Sequence, residues 1–404
     1  MILGAGVYQV PLIRRAKMRG LKTLVVSVKG NYPGFRFADD ILYLDTRDVE
    51  SIVDAAVQED ICAVVTTGTD VAVPALGAVA EALGLPGISR ASGLMASNKV
   101  MMKEAFIKGG VKTSDYCVVN DLNEALKAAD KIGYPVIVKV PDKSGSRGIT
   151  RVNGPEDIND AWAYAMAATD SESIIVERFI NGEEFGVDAV IQNGNICAVI
   201  PHEKNVHFSQ RTGVPEGHLC PTAFSEQIRQ RIYTETQKVT MALGVDDCVV
   251  NIDAIMQPDG EIYVIEAAAR CGGTGIPEVI GGSLGINWYD VILDLALGIE
   301  VPGFTQDRIH NPPFAAVSRM LISDREGMFD KMIYEVDGHV YSNEDYSGKD
   351  IQVSVNVVPG EIIRRFDNGT ERIGQAVFLG NSRDEVMGMC ERFMKTVKIF
   401  TKEE

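Results

Sequence analysis

Over residues 1 to about 92, hydrophobic positions fall in short runs between segments where they recur every three or four residues. Ile2-Leu3, Leu24-Val25-Val26, residues 41–44 and Ala63-Val64-Val65 read as strands, and helices are predicted up to Arg19, over 49–58 and over about 73–83. Strands alternating with helices in this way build a parallel sheet covered on both faces. Residues 87–98 read as a linker. After Lys99 the texture changes. The pattern predicts a helix over 100–108, a strand over 135–139, a polar glycine-bearing loop over 142–148, and a helix opened by Pro155 and running to Ala168. Three strand-like stretches follow at 173–179, 185–192 and 196–202, with Asn193-Gly194 a strong hairpin turn. A long helix is bounded by Ser225 and Gly244, strands are predicted over 249–257 and 261–266, and a helix over 287–297. From about Ile322 a small mixed module has strands near 351–358 and 375–379 and a helix over 384–395.

The chain has 404 residues, enough for two or three domains, and its 46% hydrophobic and 24% charged composition is that of a folded protein. Asp and Glu outnumber Lys and Arg by 56 to 39, a net charge of −17. Sequence-independent binding to nucleic acid or anionic membranes needs clustered cations, so both are excluded as functions. Any anion must be met by a bound cation or a local basic patch. The seven cysteines are scattered, odd in number and form no C-x-x-C pair, which fits a reducing compartment and a cytoplasmic location. No apolar run approaches the roughly 18 residues of a spanning helix, and no signal-peptide pattern opens the sequence. The first strand is so short that a residue or two is expected upstream of Met1.

Several segments carry candidate chemistry. Gly4-Ala5-Gly6 heads a dinucleotide-type turn, but Gln9 stands where a third glycine belongs and the second strand ends in Ser27-Val28, without an acid for a ribose. A tight Rossmann-like turn that binds no NAD accounts for it. In 139–149, Lys139 ends an apolar strand and a donor-rich loop follows, containing Ser144, Gly145, Ser146, Arg147 and Gly148. Such loops wrap backbone N–H groups around phosphate oxygens; a solvated loop is the alternative. Glu177 and Glu184 flank a glycine turn and could accept ribose hydroxyls or could form an acidic hairpin. The stretch containing His202, Lys204, His207 and His218 is polar with little regular pattern, and these histidines are expected at the surface more often than in a substrate pocket.

The sharpest signal is the pair Asp253 and Glu266. A two-residue turn at Asp259-Gly260 pairs Pro258 with Glu261, and the same register sets Asp253 opposite Glu266. Two like charges facing each other within apolar strands destabilise a sheet unless a counter-charge joins them. Mg²⁺ supplies it naturally; a salt bridge to Arg270 or a lysine is the alternative. The run from Arg270 through Gly272, Gly273 and Gly275 then makes an anion cradle or simply turns the chain.

Taken in order, Lys99 on a helix start, Lys139 with its loop to Gly148, Glu177-x6-Glu184, Asp253 and Glu266-x-x-x-Arg270 resemble the ATP-grasp superfamily of carboxylate–amine ligases, from about residue 1 to 400. Carbamoyl-phosphate-synthase-like, phosphoribosylglycinamide-synthetase-like and L-amino-acid-ligase-like proteins are the nearest groups. The resemblance implies an α/β chain with a Rossmann-like parallel sheet (1–92), an ATP-grasp fold (93–320) with an α+β lid at about 135–205 and an antiparallel core, and a small C-terminal α+β domain (321–404). It implies that Lys99 and Lys139 hold ATP phosphates under a flap at Ser144, Gly145, Ser146 and Gly148. Glu177, Phe179 and Ile180 would line the adenine pocket, Glu184 would hold the ribose, and Asp253 and Glu266 would bind Mg²⁺. Arg270 would steady an acyl phosphate, with Lys139 the other catalytic group and Arg319 facing the substrate. The family's usual Glu-x-Asn-x-Arg is here Glu266-Ala267-Ala268-Ala269-Arg270, so Ala268 removes a metal ligand and leaves one or two Mg²⁺ open. The implied reaction is ADP-forming coupling of a small-molecule carboxylate, through its acyl phosphate, to an amine. Residues 204–221 are expected to shape the acceptor pocket. A non-catalytic ATP sensor and an NAD-dependent oxidoreductase are the competing readings. The oligomeric state stays open, a homodimer being common among such enzymes.

Overall fold

The structure, a computed structural model, describes residues 1–402. It divides into two units: Met1–Pro201 with Ala223–Gly273 and Trp288–Gln306, and His202–Thr222 with Thr274–Asn287 and the chain from Asp307 on.

In the first unit, Ile2–Leu3, Leu24–Val26 and Asp40–Leu42 form a parallel three-stranded sheet. The expected fourth strand is only an isolated bridge, Ile2 with Val65, because the chain turns polar there and Thr66 spends its hydroxyl on the Leu3 carbonyl at 2.7 Å. Helices Val49–Gln58 and Val73–Leu83 form where their signals lie: Asp48 caps the first, and Gly84 at φ +64° stops the second. The stretch read as a linker contains a short helix, Arg90–Met95, capped by Ser89.

A second, antiparallel sheet has the order Tyr116–Val119, Ile174–Arg178, Val136–Lys139, Ile149–Val152. Helices Leu122–Ile132 and Ile158–Ala168 bury Ala125, Ala129, Ala161 and Ala165 against Val136, Val138, Ile174 and Val176. Alternation along the strands turns Lys139 and Glu177 to the opposite face. The first of these helices is signalled by Asp121 and Glu124: Asp121 accepts from Glu124 N–H, and Glu124 accepts from Asn120 N–H.

The third sheet holds Ile262–Ala268, Cys248–Met256, Glu183–Gln192 and the start of Asn195–Phe208. Phe185, Val187, Val250, Ile252, Ala254, Val264 and Ala267 join one core with Met102 and Phe106 of helix Lys99–Lys108 and Val239 of helix Glu226–Leu243. The opposite face carries Asp188, Asn251, Asp253 and Glu266. One strand set thus separates a dry side from a chemical side.

The second unit pairs Gly213–Cys220 with Glu203–Phe208 and with Ala315–Leu321, then Gly374–Gly380 and Ile351–Val355, all antiparallel. Phe329, Met332, Tyr334, Phe378 and Phe393 fill its core, the last from helix Arg383–Met394. The polar stretch through 204–218, which showed no regular pattern, is therefore two paired strands.

Candidate active site

The acidic pair is where the register predicts it, but by a different route. Gln257 N–H donates to the Glu261 carbonyl at 2.9 Å, so the turn has three residues, Pro258-Asp259-Gly260, with Gly260 at φ +80°. That turn pairs Ala254 with Val264. A bulge at Ile265 then restores the register, and Asp253 faces Glu266 directly. On Asp253's other side the neighbour is Gly186, which brings no side chain.

Helix Lys99–Lys108 places two lysines one turn apart. Lys99 Nζ lies 3.1 Å from Glu266 Oε2 and donates to the Lys143 carbonyl at 2.7 Å. Burial alone would lower its pKa; Glu266 and Asp70 overcome that and raise it. Lys103 Nζ is 2.7 Å from Glu177 Oε2, and Lys139 Nζ is 2.6 Å from Glu177 Oε1. Burial pushes Glu177 up, but the two lysine charges outweigh it and hold the carboxyl at about 2. Lys103 also donates to Thr113 and Ser114, and Ser114 donates to Glu177. The Glu177 side chain is thus committed to lysines; only its backbone remains for the adenine role the sequence suggested. Lys103 went unnoticed in the sequence, although its spacing from Lys99 on a half-apolar helix was the available signal.

Arg270 pairs with Asp70 at 2.5 Å and donates to Asn251 Oδ1 at 3.4 Å. It is largely buried, and Asp70 keeps it firmly cationic against the cost of burial. Asn251 Nδ2 in turn donates to the fully buried Asp188 at 2.7 Å, and burial raises Asp188 to about 6. Neither Asp70, Asn251 nor Asp188 announces itself locally; each matters through a partner far along the chain.

The loop after Lys139 is anchored at its base. Thr169 donates to Asp142 at 2.5 Å, and Lys143 bridges Asp142 and Asp170. Gly145, Ser146 and Gly148 all have left-handed backbones, at φ +69°, +61° and +68°. Gly145 is exposed, whereas a Cβ at Gly148 would meet Val140 at 2.7 Å. Arg147 donates to the Ser144 carbonyl. Phe179 lies under the Arg151 guanidinium, 4.0 Å from its ring centre, Ile180 is buried, and Glu184 is paired with Ile255 in the ladder.

The N-terminal glycine turn is plugged by its own chain. Gln9 Oε1 accepts from Gly6 N–H at 2.8 Å, and Gln9 Nε2 donates to the Thr67 carbonyl. The amide that would cradle a pyrophosphate is already taken, which counts against a nicotinamide cofactor.

In the second unit His202 and His218 are buried, correcting their expected surface placement. Their Nδ1 atoms are 3.1 Å apart, and His218 Nε2 is 2.9 Å from Thr274 Oγ1. Arg319 pairs with Glu216.

Residues 132–278 match the family model described as ATP-grasp domain. D-alanine–D-alanine ligase of Geobacter sulfurreducens is 27% identical over 228 residues, 55% of this chain and 71% of that one. Among solved structures, phosphoribosylglycinamide synthetase from Anaerococcus prevotii aligns with a TM-score of 0.77 at 28% identity, covering 99% of this chain and 98% of that one. The chain thus carries an ATP-grasp domain, and its relatives include a carboxylate–amine ligase. L-amino acid ligase from Bacillus licheniformis shares the fold, with a TM-score of 0.82 at 20% identity over 100% and 98% of the two chains.

Lys99, Lys139 and Arg270 each sit against a carboxylate, so a chain of net charge −17 still draws cations inward, each beside a counter-charge. Among the described residues no three His, Cys, Asp or Glu side chains gather to cage a metal. The facing pair Asp253 and Glu266 offers oxygen only and leaves remaining positions to phosphates and water, which is the coordination habit of Mg²⁺. No helix among the described residues is long and apolar enough to cross a membrane.

Proposed function

We propose that the protein joins a small-molecule carboxylate to an amine at the expense of ATP, releasing ADP and phosphate. The observation that carries this reading is the register that sets Asp253 against Glu266 on the polar face of the sheet, with Lys99 on Glu266 and Arg270 on Asn251 of the same face. Mg²⁺, when bound to the acidic pair, neutralises phosphate charge on the nucleotide.

The remaining roles belong to the chain. Lys99 and Lys139 bind the nucleotide phosphates, and the loop carrying Ser144, Gly145, Ser146 and Gly148 closes over them and excludes water that would hydrolyse the acyl phosphate. Residues 179 and 180, with the Glu177 backbone, line the adenine pocket, and Glu184 takes the ribose. Arg270, kept cationic by Asp70, steadies the charge that develops as the carboxylate attacks the γ-phosphorus and ADP leaves. The amine then adds to the acyl carbon and phosphate departs. We place nucleotide chemistry in 93–320, with 1–92 and 321–404 as flanking domains, in a cytoplasmic enzyme whose carboxylate is of the amino-acid class. The D-alanine–D-alanine ligase among the relatives supports that class.

The test is phosphate release from Mg-ATP across a matrix of amino acids and small amines. Release that requires both a carboxylate and an amine supports the ligase. Tight Mg-ATP binding by calorimetry with no release from any pair would instead support the ATP-sensing reading, which Ala268 alone favours.

A further inference from the structure

Position 268 puts only a methyl group on the face that carries the acidic pair, yet the strand opposite carries an amide there. Asn251 is the direct cross-strand partner of Ala268, as Asp253 is of Glu266. Directly opposed residues share a face, with Cβ atoms roughly 4.5–5.5 Å apart. Asn251 therefore stands two residues from Asp253 on the same face, just as residue 268 stands two residues from Glu266. An amide reaching from either strand samples nearly the same space, and Ala268 leaves that space to Asn251.

The amide is also aimed. Its Nδ2 donates to Asp188 Oδ1 at 2.7 Å, and Asp188 is itself held by the Cys271 thiol, 3.5 Å from Oδ2. A carboxylate takes the nitrogen end of the amide, so Oδ1 is turned away from Asp188. There, among the described residues, it receives one long hydrogen bond, from Arg270 Nη1 at 3.4 Å. We infer that Asn251 supplies from the opposite strand the side-chain oxygen that position 268 lacks, as a third protein oxygen for the cation held by Asp253 and Glu266. This rests on the reading of that pair as the metal site.

The test is calorimetric titration of the full chain with Mn²⁺ in the presence of ADP. Asn251→Ala is expected to weaken Mn²⁺ binding by about tenfold or more, while ADP binding without metal stays as in the unsubstituted protein. Adding Ala268→Asn to Asn251→Ala is expected to restore the affinity. Unchanged Mn²⁺ binding in Asn251→Ala, with binding lost in Glu266→Gln, overturns the inference and leaves the acidic pair standing. A loss that Ala268→Asn does not repair also overturns it, since a general disturbance of the sheet would look the same. Unchanged binding in Glu266→Gln removes the acidic pair, and the inference with it.

Discussion

Glu177 holds two lysines on one buried carboxylate, and the two have different work. Lys103 is 1% exposed and bonded on every side, to Glu177, Thr113 and Ser114. Lys139 ends its strand at the base of the glycine-bearing loop over 142–148. Lys103→Met should therefore lower stability by about 2 kcal/mol, less than the 3–5 kcal/mol expected when a buried charge is left with no partner, because Lys139 remains. It should also weaken ATP binding, since Lys139 is then drawn wholly to Glu177. Lys139→Met should reverse the emphasis, with a smaller loss in urea unfolding and a larger loss of ATP affinity by calorimetry. Equal effects of the two changes on both measurements would sink this division of labour. Glu266 is a simpler case because its side chain is partly exposed and its loss opens no core. Glu266→Gln should keep the far-ultraviolet circular dichroism of the fold and abolish Mg-dependent phosphate release. Normal turnover would remove Glu266 from the metal site.

The hairpin shows how an element can be legible while its construction is not. Pro258-Asp259-Gly260 signals a turn, and the apolar alternation signals two strands. Nothing local tells a two-residue turn from a three-residue turn followed by a bulge at Ile265, and both deliver Asp253 opposite Glu266. Gly260 sits at φ +80°, and a Cβ there would come within 2.9 Å of Ile228 and 3.0 Å of Arg231. Gly260→Ala should lower unfolding stability by about 1–2 kcal/mol, with Mn²⁺ affinity unchanged, because the bulge sets the register beyond the turn. A parallel loss of metal affinity would show the turn, not the bulge, in control. The same contrast runs through the fold. Helices Val73–Leu83 and Glu226–Leu243 were readable because Gly84 and Gly244 stop them and Ser225 caps the second. Strand Gly213–Cys220 was not, because it is defined by pairing with Ala315–Leu321 rather than by a period of its own, and a register shift between Pro215 and Gly217 breaks its alternation. In the candidate site, Lys139, Asp253 and Glu266 stand out in the sequence through local strand and turn patterns. Asp70, Lys103, Asp188 and Asn251 do not, because each acts through a partner that only the tertiary fold brings near.

At the scale of the whole molecule the two units answer acid with opposite sign. In the second, burial holds His202 at about 3 and His218 well below its ordinary value, so both are neutral when folded. Once unfolded they titrate near 6.5. Their contribution is therefore complete above about pH 6.5 and falls as the pH drops, by up to about 2.7 kcal/mol per pH unit for two protons. In the first unit Asp188, raised to about 6, takes up its proton in the folded state before the unfolded chain does, so stability grows as the pH falls from about 6 towards 3.8. Glu177, held at about 2, begins to cost stability only below about 4.5. Near pH 5 the second unit should therefore be the weaker. Both tryptophans, Trp162 and Trp288, belong to the first unit, so their fluorescence reports on it alone, while circular dichroism at 222 nm reports on both. In urea at pH 5 the dichroism should lose a first phase before the fluorescence moves. In the double variant His202→Gln, His218→Gln the position of that phase should no longer depend on pH between 6.5 and 5. Dichroism and fluorescence transitions that shift together on acidification would mean that the buried histidine pair does not govern the acid stability of the second unit.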